Sequence, residues 1–194
     1  SLHVEDKYDA ARMFYIKKVL PMLIRRLDHV VTVSESSKRD IVEYAKVPED
    51  RVDVIPLAAD PYWFHPTDRA ESRTHLESKL GLDRPFIFYA SRIEHPGKNH
   101  ARLIEAFGKL KAEHDLPHLL ALAGPDKERS EEVHAIADGL ACRDDIRFLG
   151  FTDQEDLPHL YGAADLVCFP SLYEGFGLPI LCLLYTSPSP RDCQ

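Results

Sequence analysis

Six short apolar runs punctuate the chain: HVVTV (29–33), VDVIP (52–56), FIFYA (86–90), HLLALAG (118–124), IRFLG (146–150) and LVCFP (166–170). Their near-continuous hydrophobicity fits strands buried on both faces, and the stretches between them carry helical spacing. Residues 100–113, for example, put Leu103, Ile104, Phe107 and Leu110 on one face, with Asn99 where an N-cap is wanted. Thr152 with Glu155 three residues on has the form of a capping box. Strand alternating with helix predicts an α/β fold, a Rossmann-like parallel sheet covered by helices, from about residue 67 onward. Upstream, HVVTVSESSKRDIVEYAKV predicts a strand and a helix capped by Ser34 or Ser36, and VDVIPLAADPYWFHPTD is a proline-marked linker. FYIKKVLPMLIRRL (14–27) predicts a core-facing helix kinked at Pro21, with a membrane-surface helix as the competing reading of its basic residues.

Charge narrows the function classes. With 32 acidic against 24 basic residues the net charge is -8, which argues against wrapping nucleic acid or adhering to anionic lipid through bulk charge. An anionic ligand must then be held by a local cluster. The four cysteines (Cys142, Cys168, Cys182, Cys193) have no C-x-x-C spacing, so neither a disulfide framework nor a zinc motif is expected. No run reaches membrane-spanning length, and SLHVEDKYDA has neither a basic nor an apolar leader region. A cytoplasmic protein is the expectation. The opening in polar text without Met reads as a cut.

Two places carry chemistry. FIFYA runs into SRIEHPGKNH, so Arg92 falls just past a strand end and Lys98 just before a helix. Ligands of open parallel sheets bind outside the carboxyl ends of strands, where helix N-termini point N–H groups outward, and an Arg and a Lys there suit a diphosphate. A solvated basic loop has the same spacing. The Gly97–Lys98 pair is no Walker A loop, since Asn99 replaces Ser/Thr, and no Gly-x-Gly-x-x-Gly follows a strand. After the last apolar run, Glu174 stands with Gly175 and Gly177, a carboxylate to accept from sugar hydroxyls beside glycines that let backbone approach a ligand. A tight strand-to-helix turn would read the same way. His114 and His118 lack companions for a metal site and are expected as solvated loop residues.

Taken in order, VVTVSESSKRDI, VDVIPLAAD, SRIEHPGKNHARLIEAF, LAGPD, IRFLGFTDQEDLPHLYGAADLVCFPS and EGFGLPIL resemble the retaining family-4 glycosyltransferases of the GT-B fold, over residues 29 to 181. The resemblance implies the end of an acceptor domain and linker (1–66) followed by an incomplete nucleotide-sugar donor-binding domain (67–181). Its partners would be a nucleoside-diphosphate-sugar and a glycan or lipid-linked acceptor, with no nucleic acid. Peripheral membrane association, at the cytoplasmic face, would come through the N-terminal half. Arg92 and Lys98 would bind the donor diphosphate and stabilise its developing charge, with no metal and no cofactor. Glu174 would contact the donor sugar, and the backbone of Gly175, Phe176, Gly177 and Leu178 would line sugar and phosphates. Gly150 and Phe151 would neighbour the base.

The chain departs from that family in two places. The Arg-to-Lys spacing is one residue long, with Gly97 placed to absorb the excess, and Cys182 stands where a ribose-binding glutamate is expected. From Cys182 on, CLLYTSPSPRD looks like neither helix nor tail and resembles a translated sequencing adapter, so 182–194 is expected to be non-native. A chain cut at both ends is expected to be inactive and poorly stable. A sugar-nucleotide epimerase of the same fold and a non-catalytic nucleotide-sugar-binding module are the competing functions.

Overall fold

The computed structural model describes residues 10–186. They form two compact units, one of residues up to Ala58 together with Tyr173–Leu178, the other of Ala59–Leu172 and residues from Pro179 onward.

In the first unit, α1 (Ala10–Phe14) runs through a π-helical stretch, Tyr15–Val19, into α2 (Leu20–Ile24). The wide turn has a covalent cause: Pro21 has no N–H for the carbonyl four residues back, and Leu20 N–H bonds instead to the Tyr15 carbonyl, five residues back. The helix turns one apolar face inward as expected, with Met13, Ile16, Leu20 and Ile24 half-buried and Ile24 packed on the core described next, although none of its residues is fully buried. Next come β1 (Val30–Thr32), α3 (Glu35–Ala45) and β2 (Val52–Val54), with the strands parallel and Val30 opposite Val52. Ser34 caps α3, accepting from Ser37 N–H at 3.0 Å. Ala45, Val47 and Val52 form a small core against Ile24, Val30, Ile41 and Val42.

The second unit contains α4 (Arg69–Leu80), β3 (Phe86–Ala90), α5 (His100–Glu113), β4 (Leu119–Ala123), α6 (Ser130–Asp138), β5 (Ile146–Gly150), α7 (Asp156–Ala163), β6 (Leu166–Val167) and α8 (Leu178–Thr186, from Pro179 onward). All four strands are parallel, in the order β5-β4-β3-β6. Alternation along the strands sends Phe86, Phe88, Leu119 and Ala121 into one core with Leu76, Leu160, Tyr161 and Cys182. Tyr89, Leu120 and Leu122 enter the other, with Ile104, Phe107, Val133 and Ala137. Thus α4, α7 and α8 cover one face, and α5 and α6 cover the other.

Two of the three capping expectations fail locally. Asn99 precedes α5, but in a left-handed conformation (φ 61°) without capping it, and its Nδ2 donates to the Pro170 carbonyl at 3.0 Å. Glu155, not Thr152, precedes α7, with no side-chain cap. It bonds Lys79 instead, beside Asp156, whose buried carboxylate joins His75 (2.7 Å) and Lys79 (2.9 Å) of α4. That tie between helices outcompetes the local box. The last apolar run is a strand only at Leu166–Val167. CLLYT is helical after all, since Cys182 and Thr186 fall one turn apart on the buried side of α8; residues 187–194 of the expected non-native tail lie outside the described residues.

Candidate donor-binding site

Strand order creates the site in the second unit. The chain lays β3, β4 and β5 outward in sequence, then returns to place β6 on the other side of β3. The loops after β3 and β6 therefore leave a topological switch point, where open α/β sheets hold ligands. Arg92 and Lys98 both lie on the loop after β3, with Lys98 at the mouth of α5.

Three loop roots fasten this edge. Ser91 N–H bonds the Ala123 carbonyl (2.8 Å) and Gly124 N–H bonds the Gly150 carbonyl (2.7 Å). Ile93 and Lys127 continue the pairing beyond the strands, Ile93 N–H to Pro125 at 3.0 Å and Lys127 N–H to Ile93 at 2.9 Å. Gly124 is obligatory: its φ is +145°, and a Cβ there would lie 2.1 Å from the Ser91 carbonyl oxygen. The loop after β6 is tied in as well, through Leu172 N–H to the Gly97 carbonyl (3.0 Å). Tyr89 stands under the crossing, its hydroxyl donating to the Lys98 carbonyl at 3.0 Å and lying 2.8 Å from Ser171 Oγ. Gly97 is not among the positive-φ residues; Asn99 takes that conformation in its place.

The Arg92 side chain is 51% exposed and lies 3.4 Å from Glu94 Oε2, whose side chain is 1% exposed. His100, the first residue of α5, is fully buried and stacked on Tyr89 with ring centroids 4.9 Å apart. Burial lowers its pKa from 6.5 to about 4; the Glu94 backbone and charge oppose the shift, and Lys98 adds to it. His100 is thus neutral at physiological pH, leaving the fixed positive charge to Arg92 and Lys98. Gly150 has φ +66°, and Phe151 beside it is 79% exposed. An apolar hollow of about 210 Å³ lies under the same edge, lined by Ala90, Val167, Cys168, Phe169, Ile180 and Leu183 among others.

Glu174, Gly175, Phe176, Gly177 and Leu178 belong to the first unit. There Ser34 Oγ donates to the Gly175 carbonyl, as does Ser37 Oγ at 3.4 Å, and the Tyr173 hydroxyl donates to Asp40. A Cβ on Gly175 would sit 3.3 Å from Ser37 Oγ, so its size matters for the approach of α3, while Gly177 takes φ +88°. Burial first, then Asp40, raises the Tyr173 pKa. His118 is not the solvated residue expected: it is half-buried and 3.7 Å from Asp165. Among the described residues no cluster of His, Cys, Asp or Glu could hold a metal ion, and no helix is long and apolar enough to cross a membrane. Spacing did not disclose Glu94, His100 or Tyr89, although Gly124 stood in the quoted LAGPD.

A parallel α/β domain with cations at its switch point, following a shorter β-α-β unit, defines a GT-B type protein. The chain belongs to the group 1 glycosyl transferases: the family model of that description matches residues 72–181, and the Glycosyltransferase Family 4 model matches residues 2–62. It is 35% identical over 172 residues to the serotype-specific mannosyltransferase WbdA of Escherichia coli, covering 88% of this chain and 21% of that protein. The O-antigen chain mannosyltransferase B of Escherichia coli is 31% identical over 170 residues, covering 88% and 44%. The chain thus spans less than half the length of these relatives. Among solved structures, Anabaena HepE in complex with UDP and glucose superposes with a TM-score of 0.75 at 22% identity, over 97% of this chain and 50% of that one.

Proposed function

We propose that the chain carries the donor-binding part of a glycosyltransferase that moves a sugar from a nucleoside-diphosphate-sugar to a glycan or lipid-linked acceptor, with retention and without a metal ion. The observation that carries the reading is the cationic loop of Arg92 and Lys98 at the switch point and the mouth of α5, in a chain of the group 1 family. A diphosphate leaving group gains negative charge as the glycosidic bond breaks. A guanidinium and an ammonium fixed beside it, with the N–H groups of α5, lower the energy of that charge before any metal is invoked. The likeness to HepE, a structure with UDP and glucose, supports the same ligand class.

Glu174 accepts from hydroxyls of the donor sugar, and Gly175, Phe176, Gly177 and Leu178 line it with backbone. Gly150 and Phe151 flank the base, where an exposed aromatic offers a stacking face. The reading extends to a cytoplasmic protein working near the membrane face where lipid-linked acceptors reside.

Titration calorimetry of the chain with UDP, GDP and ADP is the test. Micromolar binding of at least one, weakened by added salt, is expected; no binding of any would overturn the reading. In an active protein containing this chain, proton NMR of the product should show the donor's anomeric configuration, unchanged by EDTA. An inverted product or loss of transfer in EDTA would overturn retention or metal independence respectively.

A further inference from the structure

We propose that Glu94 is a positioning residue whose buried carboxylate holds the Arg92 guanidinium in the orientation from which it meets the donor diphosphate. The inference rests on the donor-binding reading and adds a residue to it. A carboxylate is costly to bury without a partner, and this one is placed beside a site expected to bind an anion, where bulk electrostatics would disfavour it. Its Oε2 lies 3.4 Å from Arg92 Nη2, while the Arg92 side chain remains half exposed. The contact is an ion pair, drawing one edge of the guanidinium toward Glu94 while the rest stays open to solvent, an arrangement a planar fork of donors permits.

The support behind Glu94 is rigid. Ile93 pairs with Asp126 as an isolated parallel bridge, and His95 N–H donates to the Glu128 carbonyl at 3.1 Å, so the backbone on both sides of Glu94 is bonded to the loop after β4. With its backbone tied on both sides and its side chain buried, Glu94 presents its carboxylate from a fixed root to the half-exposed Arg92. His100, buried close by, contributes no full charge of its own. An arginine held in place before the ligand arrives loses less freedom on binding than one that must be ordered from solvent.

A double-mutant cycle on the 194-residue chain tests this. UDP and GDP are titrated separately by calorimetry at fixed salt, and the tighter binder is carried through wild type, Glu94→Gln, Arg92→Ala and the double variant. Coulomb's law alone says that removing a negative charge tightens diphosphate binding. Positioning says the opposite: Glu94→Gln should weaken it about tenfold, equivalent to about 1.4 kcal/mol. In the Arg92→Ala background the same change should have no weakening effect. Tighter or unchanged binding in Glu94→Gln overturns the proposal, as does an equal loss in both backgrounds, which would mark a merely structural role. If Arg92→Ala leaves wild-type affinity intact, or neither nucleotide binds, the donor reading fails and the proposal falls with it. Should Glu94→Gln melt below the assay temperature, Glu94→Met, which also removes the charge at similar length, replaces it in the same cycle with the same criteria.

Discussion

Lowering the pH from 7 to 4 should destabilise the second unit chiefly through one buried imidazole. The His100 pKa falls from 6.5 to about 4, chiefly through burial. Above pH 6.5 both folded and unfolded chains carry it neutral, and it adds no pH dependence. Below 6.5 the unfolded chain binds the proton first, so stability falls with pH until the folded protein also protonates near pH 4. At 1.36 kcal/mol per pH unit that interval amounts to about 3 kcal/mol, a large part of the stability of a small domain. His159 is also held below its ordinary range, by burial and by His75, and titrates in the same direction. His100→Phe, which keeps a ring against Tyr89, isolates the contribution. Urea unfolding of wild type and variant at half-unit steps should give curves that converge above pH 6.5 in slope and diverge below it by about 3 kcal/mol. Parallel curves between pH 6.5 and 4, or a His100 ring proton titrating near 6.5 by NMR, would refute the reasoning.

Lys98→Ala should weaken nucleoside-diphosphate binding by about 2 kcal/mol, the size of a charge-assisted hydrogen bond, and flatten its salt dependence in calorimetry. Gly124→Ala should destabilise the chain by about 3 kcal/mol or more in denaturant titration, because the added methyl meets the Ser91 carbonyl at a φ that L-residues rarely adopt. Asp156→Asn should cost about 1 to 2 kcal/mol, the size of a charge-assisted hydrogen bond, because His75 loses its carboxylate while Lys79 keeps Glu155. Partners hold the folded carboxyl ionised below its ordinary 3.8, so the wild-type pair is lost only as pH falls below that value; melting curves from pH 5 to 2 check this. Ser34→Ala should cost about 1 kcal/mol through the α3 cap and raise hydrogen exchange across Tyr173–Leu178, which its hydroxyl also holds.

Much of this architecture was legible in the order of residues. FIFYA, HLLALAG and IRFLG became β3, β4 and β5 because strands buried on both faces need near-continuous apolar side chains. Arg92 and Lys98 could be placed at a strand end and a helix start by counting alone. Helix ends were less legible. Asn99 and Thr152 have the chemistry of caps, yet a carbonyl on the neighbouring loop claims one and a buried ion pair between α4 and α7 fixes where the other's helix begins. Helix α8 shows the converse, a segment whose burial depends on what packs against it rather than on its own pattern.

The sequence by itself determined where most of the strands and helices lie, that the strands run parallel, and which loop carries the two cations, because these follow from local periodicity and from chain connectivity. Only the tertiary structure decided that β6 returns to the far side of β3, turning that loop into a switch-point site. Tertiary packing also decided that Glu94 and His100 are buried beneath it. Strand order, desolvation and the charge state of a side chain all depend on residues distant in sequence, which no local pattern encodes.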